Sequence, residues 1–131
     1  MAINRYQAFA EWRISTHRST NRGRSVRYFR LTRDHTIIWT IVMRGHYAKT
    51  PPSVRECIER VRCSKETARR IISLAVSRGY LQIHPAPDDA RRKQIVPSRQ
   101  CILDFENMVE GYLNLNETLG LVRKRKPKQS K

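Results

Sequence analysis

The chain has 131 residues, a length that fits one domain, and its 27 Lys and Arg residues against 11 Asp and Glu residues give a formal net charge of +16. An imbalance of this size repels itself within a compact fold, so it usually accompanies a polyanionic partner, first of all a nucleic acid. The sequence contains no run of about 18 apolar residues, which is the length needed to cross a bilayer. The first residues lack the apolar region of a secretory signal, so we expect a cytoplasmic protein without a membrane partner.

The cysteines and histidines indicate neither a disulfide framework nor a metal site. Cys57, Cys63 and Cys101 are odd in number and widely spaced, which favours reduced thiols. Cys63 precedes a predicted helix N-terminus, where the helix dipole can lower a thiol pKa as in a redox sensor, but we favour a packed turn residue. The four histidines are scattered singly, so we expect no zinc and no other cofactor. The common catalytic motifs are absent from the sequence, which predicts that the protein is not an enzyme.

The N-terminal region divides into a predicted helix and a basic segment. Apolar residues recur at helical spacing from about Ile3 to Ile14. The sequence from Ser15 to Arg30 is polar, basic and without periodicity, which predicts a loop or a flexible arm. An arm could enter a DNA minor groove, as homeodomain arms do, and a loop would lie solvated on the surface. Both alternatives stay open at this point.

A second helix is predicted from about Asp34 to Gly45. Thr32 or Asp34 can cap it, because a short side-chain oxygen satisfies the free N–H groups of the first turn. Its stripe of isoleucine and valine side chains indicates a helix buried at the centre of the domain. Gly45 is the expected stop.

Two short helices follow at the spacing of a helix-turn-helix. Ser53 begins an S-x-x-E pattern, which is typical of a capping box, ahead of an amphipathic helix from Val54 to Arg60. Ser64 can cap the next helix, which is predicted from Lys65 to about Arg78. Gly79 then supplies the left-handed conformation that ends many helices. About three residues join the two helices, as in a helix-turn-helix.

A hairpin and a long helix complete the predicted elements. Residues 80–84 alternate between apolar and polar side chains, and residues 94–96 form the returning strand after a basic turn. A strand, a basic turn and a strand that follow a helix-turn-helix make a wing. The last helix begins at Ser98 or Arg99 and reaches about Leu119. The tail from Val122 onwards cannot bury a core, so we expect it to be disordered and able to add phosphate contacts.

These elements predict a mainly α fold with a small two-stranded β-wing, which is a winged helix-turn-helix with flanking N- and C-terminal helices. Residues 1–30 would hold the N-terminal helix and the basic arm or loop, and residues 31–98 the winged helix-turn-helix domain. Residues 99–120 would form the C-terminal helix and residues 121–131 the basic disordered tail. Both flanking helices offer more apolar surface than a small domain needs, so we expect them to form a dimer interface.

The helix from Lys65 to Arg78 carries donors away from its apolar face, as an element that reads a major groove must. Arg69 and Arg70 can bond bidentately to guanine or clamp a phosphate, and a solvated surface pair is the alternative. Thr67 can touch a thymine methyl group or a phosphate. Glu66 can accept from cytosine, orient one of the arginines, or interact with the helix dipole.

The wing carries the most specific sequence pattern, Asp89-Ala90-Arg91, followed by an apolar strand and by Ser98 as a helix cap. This pattern resembles the MarR-type winged-helix transcriptional regulators over the stretch from Leu31 to about Leu113. The resemblance implies that Arg91 enters the minor groove and that Asp89 holds it. Independently, a narrow minor groove concentrates negative potential, which attracts a guanidinium group.

The chain departs from the family pattern at Ala75 and Pro97, where a Leu is usual, and in the short basic region before Leu31, where a dimerisation helix is usual. The resemblance also implies a homodimer at the bacterial nucleoid and a small-molecule effector. An effector pocket could include the aromatic residues Trp12, Trp39 and Tyr47, although we expect a core or interface role for each.

We therefore expect a sequence-specific double-stranded DNA-binding transcriptional regulator, with its recognition helix in the major groove and its wing in the minor groove. The alternative is an architectural, replication-associated or RNA-binding winged-helix protein that mainly contacts the backbone. The expected DNA-binding residues are Ser64, Lys65, Glu66, Thr67, Arg69, Arg70, Asp89, Arg91, Arg92 and Lys93.

Overall fold

A computed structural model of the chain describes residues 4–18 and 23–118, and within these ranges it contains six helices and a two-stranded sheet. The helices are α1 (Arg5–Arg18), α2 (Arg24–Phe29), α3 (Arg33–Ala48), α4 (Val54–Arg60), α5 (Lys65–Ser77) and α6 (Arg99–Thr118), and the strands are β1 (Leu81–Pro85) and β2 (Lys93–Pro97). The described residues form two compact units. We call Gly23–Phe105 the winged-helix unit and the remaining described residues the helical unit.

Helix α3 lies at the centre of the winged-helix unit, as its apolar stripe predicts. Ile38 and Val42 are fully buried, and Trp39 is 3% exposed. The Trp39 ring stacks on Phe29, with ring centroids 5.6 Å apart and planes 4° apart. Because each large apolar side chain contributes about 1.5–3 kcal/mol when fully buried, α3 anchors the core of this unit.

Side-chain caps fix the starts of the central helices. Thr32 Oγ1 accepts from the backbone N–H of His35 at 3.2 Å, and Ser53 Oγ accepts from that of Glu56 at 3.0 Å. Helix α4 spans the predicted range from Val54 to Arg60. The reciprocal half of the predicted capping box is not formed among the described residues, where the Ser53 backbone forms a bridge with Gln94 instead. Gly79 has a φ of 81°, the left-handed conformation expected after α5.

The two strands pair antiparallel, with Leu81 opposite Pro97 and Pro85 opposite Lys93. The strands therefore occupy residues 81–85 and 93–97, close to the predicted 80–84 and 94–96. A second connection extends the sheet towards α4, because the backbone N–H of Ile95 donates to the Pro52 carbonyl at 2.8 Å. Together with the bridge between Ser53 and Gln94, this bond ties the base of the wing to the start of α4.

The prediction of a loop or arm from Ser15 to Arg30 is wrong for the described part of that segment, most of which is helical. Helix α1 continues to Arg18, and no Gly or Pro interrupts the sequence before Gly23. Helix α2 then forms over Arg24–Phe29 and buries Ser25, Val26, Tyr28 and Phe29. Contacts of these buried side chains with distant segments stabilise the helix despite its basic sequence. One example is the Tyr28 hydroxyl, which donates to the Ile71 carbonyl at 2.5 Å. Residues 19–22 lie outside the described ranges.

The prediction that Gly45 stops the central helix is also wrong. Helix α3 continues to Ala48 and ends at Lys49, which takes a left-handed conformation with a φ of 60°. Gly45 is buried within the helix instead. A Cβ atom at Gly45 would lie 2.7 Å from both Pro52 Cδ and the Thr50 carbonyl oxygen. Glycine is therefore required here so that the returning chain can approach the helix.

The helical unit contains α1 and the C-terminal part of α6. Trp12 packs edge-on against Tyr112 with ring centroids 5.4 Å apart, and Phe9 lies 5.9 Å from Trp12. Trp12 therefore has the packing role that we expected for it. The predicted basic tail and the predicted start of the first helix at Ile3 lie outside the described residues.

Candidate nucleic-acid interface

The N-terminal end of α5 is fixed by two of the predicted recognition residues. Ser64 Oγ accepts from the backbone N–H of Thr67 at 3.1 Å and bonds the Thr67 hydroxyl at 3.0 Å. The cap holds the first turn of the helix, and both side chains are exposed. Ser64 and Thr67 thus position the helix, while their roles in base contact stay predictions.

The charged residues of α5 point into solvent. Lys65, Glu66, Arg69 and Arg70 are all exposed. Among the described residues Glu66 makes no ion pair with either arginine, so the hypothesis that it orients them gains no support from these contacts. An acidic side chain in the first turn interacts favourably with the helix dipole, which accounts for Glu66 without an arginine partner.

The tip of the wing is ordered by its two aspartates. Asp89 Oδ1 accepts from the backbone N–H of Arg91 at 3.0 Å, and Asp88 pairs with the Arg92 guanidinium at 2.8 Å. The backbone closes the same turn, because the Ala86 N–H donates to the Arg92 carbonyl at 2.8 Å. Asp89 therefore holds the backbone at Arg91 and leaves the exposed guanidinium of that residue pointing into solvent.

A groove of about 740 Å³ opens between the N-terminal end of α5, the wing and α4. It brings together predicted residues from two separate segments. From α5 it contains Lys65 and Arg69. From the wing and β2 it contains Arg91, Arg92 and Lys93. These five predicted basic side chains thus line one groove, whose electrostatic potential attracts polyanions.

Helix α4 forms a wall of the groove that the sequence did not predict. Its lining includes Ser53, Arg55 and Glu59. Arg55 Nε lies 2.9 Å from Glu59 Oε1, and the two side chains are 87% and 60% exposed. An exposed pair of this kind is worth at most about 1 kcal/mol, so Arg55 can exchange Glu59 for a phosphate at little cost. The capping pattern at Ser53 located the start of α4 but did not show that it faces the wing.

The other predicted site residues lie outside the lining of this groove. Arg70 follows Arg69 on α5 but does not line the groove, and neither do Ser64, Glu66 and Thr67. Asp89 contributes through its bond to the Arg91 backbone. Of the ten predicted DNA-binding residues, five thus line one groove.

All three thiols have raised pKa values. Burial raises the pKa of Cys57 to about 12 and that of Cys101 to about 11. Burial and the neighbouring Asp34 carboxylate raise the pKa of Cys63, which argues against the low-pKa redox thiol considered from its place before α5. Asp34 also accepts from the backbone N–H of Arg62 at 3.1 Å and so holds the turn before α5.

Three further observations concern a metal site, a membrane span and an effector pocket. The part of the chain that the structure describes holds no group of three or more His, Cys, Asp or Glu side chains suited to a metal ion. None of the helices over the described ranges is both long and apolar enough to cross a bilayer. Trp39, considered above for an effector pocket, lies in the core.

No protein-family model and no curated protein sequence matches the chain. Solved structures do match its fold. The transcriptional regulator Tm0710 from Thermotoga maritima has a TM-score of 0.57 at 23% identity, covering 76% of this chain and 68% of that one. The S. aureus MepR–DNA complex has a TM-score of 0.55 at 13% identity, covering 74% and 77%. A MarR-like structure from Bacillus cereus has a TM-score of 0.50 at 14% identity, covering 91% and 84%. At these identities the likeness establishes a shared winged-helix fold, which confirms the predicted fold class.

Proposed function

We propose that the protein is a sequence-specific double-stranded DNA-binding transcriptional regulator that acts at the nucleoid in the bacterial cytoplasm. In this proposal the N-terminal end of α5 enters the major groove and the wing follows the adjacent minor groove. Lys65 and Arg69 reach base edges or phosphates from α5. Arg91 enters the minor groove, where the negative electrostatic potential of a narrow groove attracts its guanidinium group.

The observation that carries the proposal is the groove between α5, the wing and α4, with basic side chains from each element. Duplex DNA carries one negative charge per about 1.7 Å of its axis, so it can engage several of these side chains at once. The two elements also offer different shapes, a helix for the major groove and a hairpin for the minor groove. The S. aureus MepR structure, which has the same fold, was solved as a complex with DNA, and this supports the same use of the fold here.

We propose further that the protein binds DNA as a homodimer. Large apolar side chains are exposed on both flanking helices: Tyr6, Phe9 and Ile14 on α1 are 46–70% exposed, and Leu103 on α6 is 45% exposed. Exposed apolar surface of this kind is typical of protein interfaces. A two-fold dimer would read a pseudo-palindromic site with half-sites about one helical turn apart.

The experiment is a selection of bound duplexes from random DNA, followed by gel-shift titrations of the selected and a scrambled duplex at near-physiological salt. We expect Arg69→Ala to lower the ratio of specific to non-specific affinity by about ten-fold, because a bidentate base contact is worth about 1–3 kcal/mol. Arg91→Ala should weaken binding to both duplexes. Arg70→Ala should have a smaller effect than Arg69→Ala, since Arg69 lines the groove and Arg70 does not.

Arg44→Ala serves as the control, because it removes the same charge from an exposed position on α3 outside the groove. If Arg69→Ala and Arg91→Ala behave like Arg44→Ala, the groove is not the DNA interface. A ratio of specific to non-specific affinity near one for the wild-type protein would instead support an architectural or RNA-binding protein that mainly contacts the nucleic-acid backbone.

A further inference from the structure

A second basic cavity lies within the winged-helix unit, at the C-terminal end of α5. Its volume is about 350 Å³, within the range of small-molecule sites. Its lining combines three arginines with two tyrosines and one leucine, namely Arg24, Arg27, Arg78, Tyr28, Tyr80 and Leu31. None of these residues lines the groove between α5, the wing and α4, which contains the opposite end of α5.

Within the described part of the chain, the three arginines of this cavity have no acidic partners. Over the described ranges, neither Arg24, Arg27 nor Arg78 forms an ion pair with a carboxylate. Like charges that share a cavity repel each other, and the repulsion is relieved when an anion binds between them. Guanidinium groups also match phosphate and carboxylate oxygens in bidentate geometry. The charge pattern therefore selects an anion with more than one negative charge.

One arginine is held in place by an aromatic side chain. Arg78 Cζ lies 5.4 Å from the centroid of the Tyr28 ring. Tyr28 is itself fixed, because it is 3% exposed and its hydroxyl donates to the Ile71 carbonyl at 2.5 Å. A guanidinium above a fixed ring is attracted to the ring face and loses less freedom when it binds an anion.

The second tyrosine offers both a donor and an apolar surface. The Tyr80 ring lies 5.6 Å from the Tyr28 ring, and among the described residues no hydrogen bond engages the Tyr80 hydroxyl. Leu31 is 64% exposed beside these rings. The cavity thus has a polar side for a charged group and an apolar side for an organic group.

Backbone hydrogen bonds at the end of α5 reduce the partial negative charge that the helix presents to an anion. The carbonyl oxygens of its last turn would carry partial negative charge if they were free. Here Leu74 O, Ala75 O and Val76 O accept from the backbone N–H groups of the three residues that follow the helix, at 2.9–3.0 Å.

We propose that this cavity binds a small organic phosphate. The phosphoryl group lies among Arg24, Arg27 and Arg78 and accepts a hydrogen bond from the Tyr80 hydroxyl. The organic part lies against the ring of Tyr80 and against Leu31. A phosphate monoester carries about 1.5 to 2 negative charges at neutral pH, which matches three guanidinium groups better than a monocarboxylate does. The site does not require that the protein bind DNA.

The test uses the full-length protein without DNA, in a chloride buffer of moderate ionic strength, with phenyl phosphate as the probe. Inorganic phosphate and phenol are the matched partial probes, since each keeps one half of the ligand. Isothermal titration calorimetry measures the affinity, and changes in the amide NMR chemical shifts locate the binding site. We expect phenyl phosphate to bind about ten-fold more tightly than either partial probe and to shift the amides of Arg78 to Leu81.

The double variant Arg24→Gln/Arg27→Gln should weaken phenyl phosphate binding by about ten-fold. The control Arg44→Gln/Arg99→Gln removes the same charge from exposed positions outside the cavity. Thermal unfolding by circular dichroism checks that both variants fold. Equal losses in the two variants would overturn the site, because the binding would then reflect net charge alone. So would the absence of binding at millimolar phenyl phosphate, or a loss of duplex DNA affinity without any loss of phenyl phosphate binding.

Discussion

The Ser25 hydroxyl donates a hydrogen bond of 2.5 Å to Asp104 Oδ2, joining α2 to α6 across 79 positions of sequence. The other carboxylate oxygen accepts from Gln100 Nε2 at 2.7 Å. Asp104 is only 5% exposed, so these bonds replace the water that its carboxylate loses on burial. A Cβ atom on Gly23 would lie 1.7 Å from Asp104 Cγ, so the glycine leaves the space that the carboxylate occupies.

Replacement of Asp104 by Ala should lower the free energy of unfolding by about 2–3 kcal/mol, because the buried Ser25 hydroxyl loses its carboxylate acceptor and a space opens beside Gly23. Urea unfolding followed by circular dichroism measures the change. Glu110→Ala removes an acidic side chain from an exposed position of the same helix and is expected to change stability by less than about 0.5 kcal/mol. Equal effects in the two variants would show that the Ser25–Asp104 bond does not stabilise the fold.

Replacement of Gly45 by Ala should destabilise the protein even though alanine is the better helix former. The added Cβ atom would lie 2.7 Å from Pro52 Cδ and from the Thr50 carbonyl oxygen. Overpacking costs about 1–3 kcal/mol, which exceeds the gain of about 1 kcal/mol in helix propensity. Thermal unfolding tests the sign. Ser73→Ala, at an exposed position within α5, is the control and should not destabilise. A Gly45→Ala protein more stable than wild type would contradict the close approach.

The bond between Asp89 and the Arg91 N–H predicts that two substitutions of Asp89 differ in DNA affinity. Both Asp89→Asn and Asp89→Ala remove the negative charge, but only Asn keeps an oxygen that can accept from the Arg91 N–H. We expect Asp89→Ala to bind the selected duplex about three- to ten-fold more weakly than Asp89→Asn, because the turn that presents Arg91 loses its side-chain bond. Fluorescence anisotropy at one salt concentration measures both affinities. Identical affinities would mean that the bond from the Arg91 N–H to residue 89 does not contribute to binding.

Alkaline pH should destabilise the protein through two buried thiols. Burial raises the pKa of Cys57 to about 12 and of Cys101 to about 11, from an ordinary value of 9.0. Between these values the unfolded chain releases the thiol protons while the folded chain keeps them, so the free energy of unfolding falls as pH rises. At about pH 10 the loss is about 1 kcal/mol for each thiol.

The measurement is urea unfolding under reducing conditions at neutral pH and at about pH 10, on the wild-type protein and on Cys57→Ala/Cys101→Ala. The double variant will be less stable at both pH values because it loses buried volume. The decisive quantity is the change with pH, which should be smaller in the variant. An equal change in both proteins would assign the alkaline effect to other groups.

Local patterns were sufficient for the helix-turn-helix. Ser53 and Ser64 cap α4 and α5, and each cap is a contact within one turn of chain, so the sequence beside it contains the whole signal. Helix α2 is different. Six residues are too few to show a helical period, and their burial depends on partners such as Ile71, which is 43 positions from Tyr28. The sequence around α2 therefore indicated only a basic, polar segment.

The same distinction explains the candidate site. The basic residues of α5 and of the wing could be predicted because each lies in a recognisable local pattern. The contribution of Arg55 could not, because it depends on the bridge between Ser53 and Gln94, two segments far apart in sequence. The role of Asp89 in DNA binding stays a prediction. The resemblance implied that it holds Arg91, and the bond that the structure gives joins its carboxylate to the Arg91 backbone.

In the proposed DNA complex, the backbone connection between the wing and the start of α4 has a consequence for the binding energetics. Because the Ile95–Pro52 bond and the Ser53–Gln94 bridge fix the base of the wing, the spacing between wing and helix is preorganised. Binding then costs conformational entropy mainly in the basic side chains, and little in the backbone. A duplex whose groove spacing differs must itself deform, so its own stiffness contributes to the choice of site, including at base pairs that no side chain contacts.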